Sequence, residues 1–301
     1  MLRSIGVLAT DHVVVGLVED HHVVGTVLVY PETGDDQEAL QSMPADGIGE
    51  CIREQIERVG RGHEIQVVGV GFPGITRDGI IQESPNLQQV KGLDLQVILS
   101  TALIRNEIAV PVRIFNDADV MAAGIAATQG QLDRSIRVWT LGNGIGFGRY
   151  PWAEGIWEGG HSVVTLDPKE HFCGCGGKGH LEGIMGERAM RLRFLDMEPE
   201  ELFENAQSGD TRCRDFVKLW HRALAAATAT SIHMDGPGKF FVSGRNARFI
   251  DLGLLGMYLQ EMVKMTPLQG SVFEKISTSD ELGIIGAALN AERLAKSEQM
   301  P

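Results

Sequence analysis

The stretch from Glu158 to Glu182 constrains this chain more than any other: E-G-G-H, a short connector, then H-F-C-G-C-G-G-K-G-H-L-E. Two of the four cysteines, Cys173 and Cys175, stand one residue apart, with His180 after a G-G-K-G turn and His161 upstream. Two thiolates and two imidazoles are the donor set of a closed tetrahedral Zn2+ site. Glycines let the backbone turn tightly enough to aim such ligands inward. His171 competes with His161 as the upstream donor. A C-x-C pair by itself is also compatible with two small buried apolar residues. Four protein donors fill the tetrahedron and leave no position for substrate, so the expected metal is structural rather than catalytic.

The surrounding chain is long enough to fold around such a knuckle. Its 301 residues, 43% of them hydrophobic, predict one large domain or two lobes with a sizeable core. A formal net charge of −13 argues against a nucleic-acid-binding face, which is normally basic. The N-terminus M-L-R-S-I-G-V-L lacks a signal-peptide pattern, and no apolar run reaches membrane-spanning length. Four cysteines, two of them in the knuckle, suit a reducing cytoplasm better than a disulfide scaffold.

Val-rich runs broken by D-H and D-H-H predict hairpin strands over 3–30. Ile48, Ile52, Ile56 and Val59 share one side of a helix expected over 37–60. Residues 65–74 read as a buried strand, 93–106 as a helix, and 112–119 as a strand feeding an Ala-rich helix over 119–128. The opening pattern then returns as strand–turn–strand over 137–150, followed by a long helix over 214–234, a strand over 239–246 and a small-residue helix over 281–295. Two halves that each open on a hairpin predict a duplicated α/β architecture. The expected domains are a small N-terminal lobe, 1–118, with the helix 286–301 packing back on it, and a larger lobe, 119–285, carrying the knuckle.

Three constellations can carry chemistry. Asn116 and Asp117 sit where a strand ends and a helix begins, a place where ligands bind in open α/β sheets. Asp117 there can take a proton from a hydroxyl, or Asp117 or Asp119 can simply cap the helix. Gly142, Asn143 and Gly144 form a turn whose backbone N–H groups can approach phosphate oxygens, although glycines serve hairpins equally well. Glu158, His161 and Glu182 flank the knuckle and supply the mixture of donors and acceptors that sugar hydroxyls require, if they are not merely solvated.

Read in order, F-P-G (72–74), S-P-N-L (84–87), F-N-D-A (115–118), L-G-N-G-I-G (141–146), E-G-G-H (158–161), C-G-C-G-G-K-G-H-L-E (173–182) and L-G-I-I-G-A-A (282–288) resemble the ROK family of bacterial sugar kinases and sugar-responsive repressors. The resemblance covers about 65–295. It implies the actin-like, ribonuclease H-like duplicated two-lobed sugar kinase fold, with zinc supporting the sugar site and ATP in the cleft between lobes. Asp117 matches the family's catalytic base, and Asn86, Asn116, Glu158, His161 and Glu182 match sugar contacts. His161, Cys173 and Cys175 match zinc ligands, and His180 falls where the family usually has a third cysteine. Gly142, Asn143 and Gly144 match the second phosphate loop, and Gly244 lies on the adenosine side.

The first hairpin departs from the pattern. The family carries D-x-G-G-T there, a phosphate loop whose Asp helps position Mg2+. Here the turn is L-A-T-D-H-V, with Leu8 at the Asp position and Asp11 bringing negative charge toward the place of the triphosphate. Asp11 binding Mg2+, or Thr10 and His12 donating to phosphate, would offset that loss. S-G-R-N (243–246) also replaces consecutive glycines. The resemblance therefore implies a hexose kinase using ATP and Mg2+ and forming a homodimer, or a sugar-binding sensor of the same fold with impaired catalysis. A DNA-binding repressor is disfavoured, because the first hairpin opens the chain and leaves no room for a helix-turn-helix ahead of it.

Overall fold

Val-rich segments separated by short polar turns fold as the expected meander of β1 (Arg3–Ala9), β2 (Val13–Glu19) and β3 (His22–Tyr30). The computed structural model describes residues 3–32, 39–84, 87–105, 108–155 and 157–298. The remaining strands of its two main sheets are β4 (Val67–Phe72), β5 (Val112–Asn116), β6 (Ile136–Leu141), β7 (Ile145–Tyr150), β8 (Lys239–Ser243) and β9 (Val272–Lys275). The principal helices are α1 (Ala45–Gly60), α2 (Asp117–Thr128), α3 (Thr211–Asp235), α4 (Leu252–Met262) and α5 (Asp280–Glu298). The chain divides into two compact units. The first comprises Met1–Ile136, Gly148–Ile156 and Ser279–Pro301, and the second Arg137–Phe147 and Trp157–Thr278.

In the first unit the strand order is β3-β2-β1-β4-β5. The three hairpin strands are antiparallel, and β4 and β5 run parallel to β1. β1, β2 and β4 are buried almost throughout, as continuous apolar runs covered on both faces should be. Helix α1 lays Ile48, Ile52 and Ile56 into that core, with Val59 partly buried beside it. Helix α5 covers the other face at unusually close range. A β-carbon on Gly6 of β1 would lie 1.9 Å from the Ile284 carbonyl oxygen, and one on Gly69 of β4 would lie 1.9 Å from that of Ala287. Glycine at these positions is what allows a helix backbone to rest on a strand backbone.

The same device joins α2 to α5, where β-carbons on Gly124 and Gly286 would meet the Leu282 and Val120 carbonyl oxygens at 1.9 and 1.7 Å. The sequence pattern set the division after residue 118; the structure keeps all of α2 in the first unit because of this backbone-close pairing with α5. Residues 148–155 stay there too: the Arg149 N–H donates to Asp119 Oδ1 at 2.9 Å, and Tyr150 Oη donates to the Leu132 carbonyl at 3.1 Å.

The second unit is built on a sheet of order β7-β6-β8-β9, with β8 and β9 parallel. This order repeats β2-β1-β4-β5: a hairpin, then two strands added beyond its first strand. The duplication is thus present in topology, and among the described residues the second copy has no third hairpin strand. Trp139, Trp220 and Phe240 fill the core, and both indoles find partners. Trp139 Nε1 donates to Thr228 Oγ1 at 3.0 Å, and Trp220 Nε1 donates to the Met185 carbonyl at 3.3 Å. Burying an aromatic this size without satisfying its N–H would cost stability. Among the described residues no helix is long and apolar enough to cross a membrane.

Candidate functional site

The knuckle in the second unit brings four donors together. The ligand atoms of His161, Cys173, Cys175 and His180 all lie within 4.8 Å of one another. The two sulfurs are 3.3 Å apart, His161 Nδ1 is 3.4 Å from Cys173 Sγ, and His180 Nδ1 is 3.3 Å from Cys175 Sγ. The edges of a tetrahedron with ordinary zinc–sulfur and zinc–nitrogen bonds are roughly 3.3–3.8 Å. The donor set therefore fits a divalent metal in chemistry, and these three separations fall within that range. His171 takes no part: its ring stacks on Phe172, and its Nδ1 donates to the Lys169 carbonyl at 2.7 Å. The backbone is folded by exchanges across the knuckle, with the Val164 N–H donating to the Gly179 carbonyl and the Leu181 N–H to that of Ser162. A β-carbon on Gly177 would lie 2.0 Å from the His180 ring, so a larger residue would displace that ligand.

Burial pushes the Cys173 thiol up to about 12, opposed by a hydrogen bond from the Cys175 backbone and reinforced by the Cys175 side chain and Glu182. A thiolate at this position therefore calls for a compensating cation. Burial also lowers His180, reinforced by the neighbouring His161 and opposed by Glu182, a shift toward the neutral form that ligates metal.

Three of the expected sugar contacts converge on the same knuckle. His161 turns one ring nitrogen toward Cys173 and the other, Nε2, toward Glu158 Oε2 at 3.9 Å. Carboxylates commonly orient metal-binding histidines in this way. Burial raises the Glu158 carboxyl above its usual range, opposed by His161 and reinforced by Glu182. Glu182 accepts the Ile145 N–H at 3.0 Å with Oε2 and lies 3.6 Å from Cys173 Sγ with Oε1. One carboxylate thus links the knuckle to the strand that follows the Gly142–Gly144 turn. Asn86 lies outside the described residues.

Asn116 and Asp117 belong to the first unit, at the carboxyl end of β5. The helix begins earlier than expected, at Asp117 itself. Its cap is Asn116, whose Oδ1 accepts the Ala118 N–H at 2.9 Å while its Nδ2 donates to the Gly74 carbonyl at 3.0 Å. Asp119 is buried and holds Arg149. Asp117 is half-buried at the first helical position.

The two hairpin turns differ sharply. In the first, Leu8 is 6% exposed and packs with Val67, Phe115, Val120 and Ala287, so the family's Asp position is a core position here. Thr10 N–H closes the turn onto the His12 carbonyl at 3.1 Å, and His12 Nε2 donates to Asp280 Oδ2 at 3.1 Å. That bond raises the His12 imidazole above its ordinary value, against the opposing effect of burial. Asp11 is exposed. In the second turn, Gly142 N–H bonds the Gly144 carbonyl at 3.0 Å, and the Glu187 N–H bonds the Gly142 carbonyl at 3.0 Å. Gly244 N–H donates to Thr278 Oγ1 at 3.0 Å, and Asn246 Nδ2 donates to the Gly142 carbonyl at 3.3 Å. Sequence reasoning missed Glu187 and Thr278 because their roles depend on contacts distant in the chain.

Comparison with known proteins places this architecture. The ROK family profile matches residues 27–293. A glucokinase of Pyrobaculum calidifontis is 27% identical over 252 residues, covering 78% of this chain and 81% of that protein. The crystal structure of a ROK hexokinase from Thermus thermophilus superposes with a TM-score of 0.79 at 24% identity, over 98% of this chain and 100% of that one. A ROK family glucokinase from Streptomyces griseus, solved with glucose and AMPPNP, gives a TM-score of 0.69 at 21% identity, over 97% and 99% of the two chains. The repeated hairpin-and-parallel-strand topology is thus the actin-like α/β fold of these sugar kinases, and the chain belongs to the ROK family.

Proposed function

We propose that this chain is a hexose kinase that transfers the terminal phosphoryl group of ATP, taken as its Mg2+ complex, to a sugar hydroxyl. The observation that carries the reading is the position of Asp117, half-buried at the first helical residue directly after β5 ends. Asn116 caps the helix, and Asp119 accepts the Arg149 N–H. A half-buried carboxylate at a strand-to-helix junction is placed to accept a hydroxyl proton as the oxygen attacks phosphorus. Glu158, Glu182 and the Nε2 face of His161 accept and donate hydrogen bonds to the remaining hydroxyls and so orient the sugar. His161, Cys173, Cys175 and His180 would hold a structural Zn2+, which supplies rigidity to these contacts rather than a reacting position. The Gly142–Gly144 turn takes the donor's phosphates through backbone N–H groups.

A steady-state phosphoryl-transfer assay over a panel of hexoses and N-acetylhexosamines tests the reading. Asp117→Asn should lower turnover on the order of 10³-fold and leave hexose affinity within a few-fold, because shape is kept and the base is lost. Comparable turnover in the variant removes Asp117 from the base role. The second reading, a sugar-binding sensor without transfer, is favoured by the buried Leu8 and the His12–Asp280 pair in the first turn. Clear hexose binding with no transfer from any donor by the wild type would select it.

A further inference from the structure

The second unit carries an arginine where small residues were expected, and its surroundings give it a task. Arg245 follows Gly244, whose φ is +90° and whose β-carbon would lie 2.3 Å from the Leu141 carbonyl oxygen. It precedes Asn246, which is 1% exposed and bonded to the Gly142 carbonyl. The backbone on both sides of Arg245 is thereby fixed against the glycine turn. The side chain is fixed as well. Its Nε pairs with Glu187 Oε2 at 2.9 Å, and its Nη2 donates to Asn143 Oδ1. Glu187 is in turn anchored to Gly142 through its own N–H and shares its other oxygen with Arg191 at 2.9 Å.

These bonds leave part of the fork unused. Among the described residues, Arg245 Nη1 has no partner, and neither do the N–H groups of Asn143 and Gly144. The guanidinium is about half exposed and held in one orientation beside two uncommitted backbone donors. A planar cation with spare N–H groups next to such donors matches the oxygens of a phosphate chain. The first turn has no arginine: Leu8 is buried, and the His12 ring is engaged with Asp280.

The geometry points to Arg245 as a phosphate-binding residue of this chain. Together with the N–H groups of Asn143 and Gly144, it grips the polyphosphate of the phosphoryl donor and compensates for the altered first turn. This inference deepens the kinase reading and rests on it. The ligand class is a linear polyphosphate, free or carried by a nucleoside.

Calorimetric titration of the full chain with inorganic tripolyphosphate and, separately, with MgATP tests it on wild type, Arg245→Ala, Arg245→Lys and Arg248→Ala. Arg248 lies in the same segment and pairs with Glu200, so its removal controls for net charge. Arg245→Ala should weaken both ligands at least tenfold, Arg245→Lys should retain part of the affinity, and Arg248→Ala should match the wild type. Hexose titration of each variant should be unchanged, which shows that the second unit is folded. The inference is overturned if Arg245→Ala binds both ligands as tightly as wild type or tighter, or if Arg248→Ala weakens them equally. It is also overturned if the wild type binds neither ligand. Hexose transfer that persists alongside an indifferent Arg245→Ala would defeat this inference and leave the kinase reading standing. Arg245-dependent polyphosphate binding without hexose transfer would do the reverse.

Discussion

The duplicated topology offers two hairpin turns to compare, Thr10–His12 in the first unit and Gly142–Gly144 in the second. Each follows the first strand of its sheet, and each could have been a phosphate loop. The first has been converted into structure: Leu8 is core, the turn closes on itself, and His12 is tied to Asp280. The second has kept its glycines and is braced by side chains from outside the hairpin, namely Glu182 on Ile145, Asn246 on Gly142 and Arg245 on Asn143.

The sharpest way to break this contrast acts through the knuckle. Glu182 reaches both Cys173 and the strand after the second turn, so removing metal should loosen that turn and spare the first. Wild-type protein should contain about one zinc per chain, and Cys175→Ser should lose it and melt lower by roughly 5 °C or more. Metal analysis with thermal unfolding checks this; a variant that melts like the wild type and holds no metal would separate the knuckle from the stability of the second unit.

A smaller effect is expected from Gly144→Ala. The added β-carbon would lie 2.7 Å from Glu182 Oε2, so the carboxylate must shift and weaken its hold on Ile145. Overpacking of this kind costs about 1–3 kcal/mol. Denaturant unfolding should show that loss, and tripolyphosphate binding should weaken in parallel. Unchanged stability would mean that the brace is soft.

In the first turn the sign reverses. Asp11→Asn removes an exposed negative charge and should leave polyphosphate affinity unchanged or raise it a few-fold, since an exposed charge interaction is worth about 1 kcal/mol or less. A pronounced loss of MgATP affinity would show that Asp11 engages the donor's Mg2+, and would restore a donor role to this turn.

The smallest effect is the pH dependence of the His12–Asp280 pair. The folded-state value of His12 lies above the ordinary 6.5. Its contribution to stability is therefore fully present below the ordinary value and is lost as pH rises through the raised one. For a pair this exposed the contribution is below about 1 kcal/mol. Asp280→Asn should flatten the stability profile in that window. An identical slope in the variant would assign it to another group.

How far the sequence could be read depends on the range of the interactions involved. The meander over 3–30 and the Ile48–Ile52–Ile56 face were legible because period and burial are local properties. The helix expected over 93–106 is confined to Leu95–Ser100, with Asp94 capping its start and a short hairpin, Ile104–Arg105 with Ile108–Ala109, taking over. Helix Pro199–Ser208 went unread although Glu198, Pro199 and Glu201 spell a capping box with proline at the first helical position. Helix α4 is apolar with two glycines and gives no clear face. At the site, the knuckle donors were legible from their spacing. The choice of His161 over His171 was not, because it depends on where the connector returns. N-D-A-D offers three adjacent capping side chains, and only coordinates assign the cap to Asn116. The His12–Asp280 and Arg245–Asn143 contacts join residues more than a hundred positions apart and leave no local signature.

The inequality of the two turns is tested most directly by amide hydrogen exchange with and without saturating MgATP and hexose. The account predicts added protection at residues 142–146 and 244–247, with residues 9–13 exchanging as in the free protein. Protection confined to 9–13, with the second turn unchanged, would contradict it.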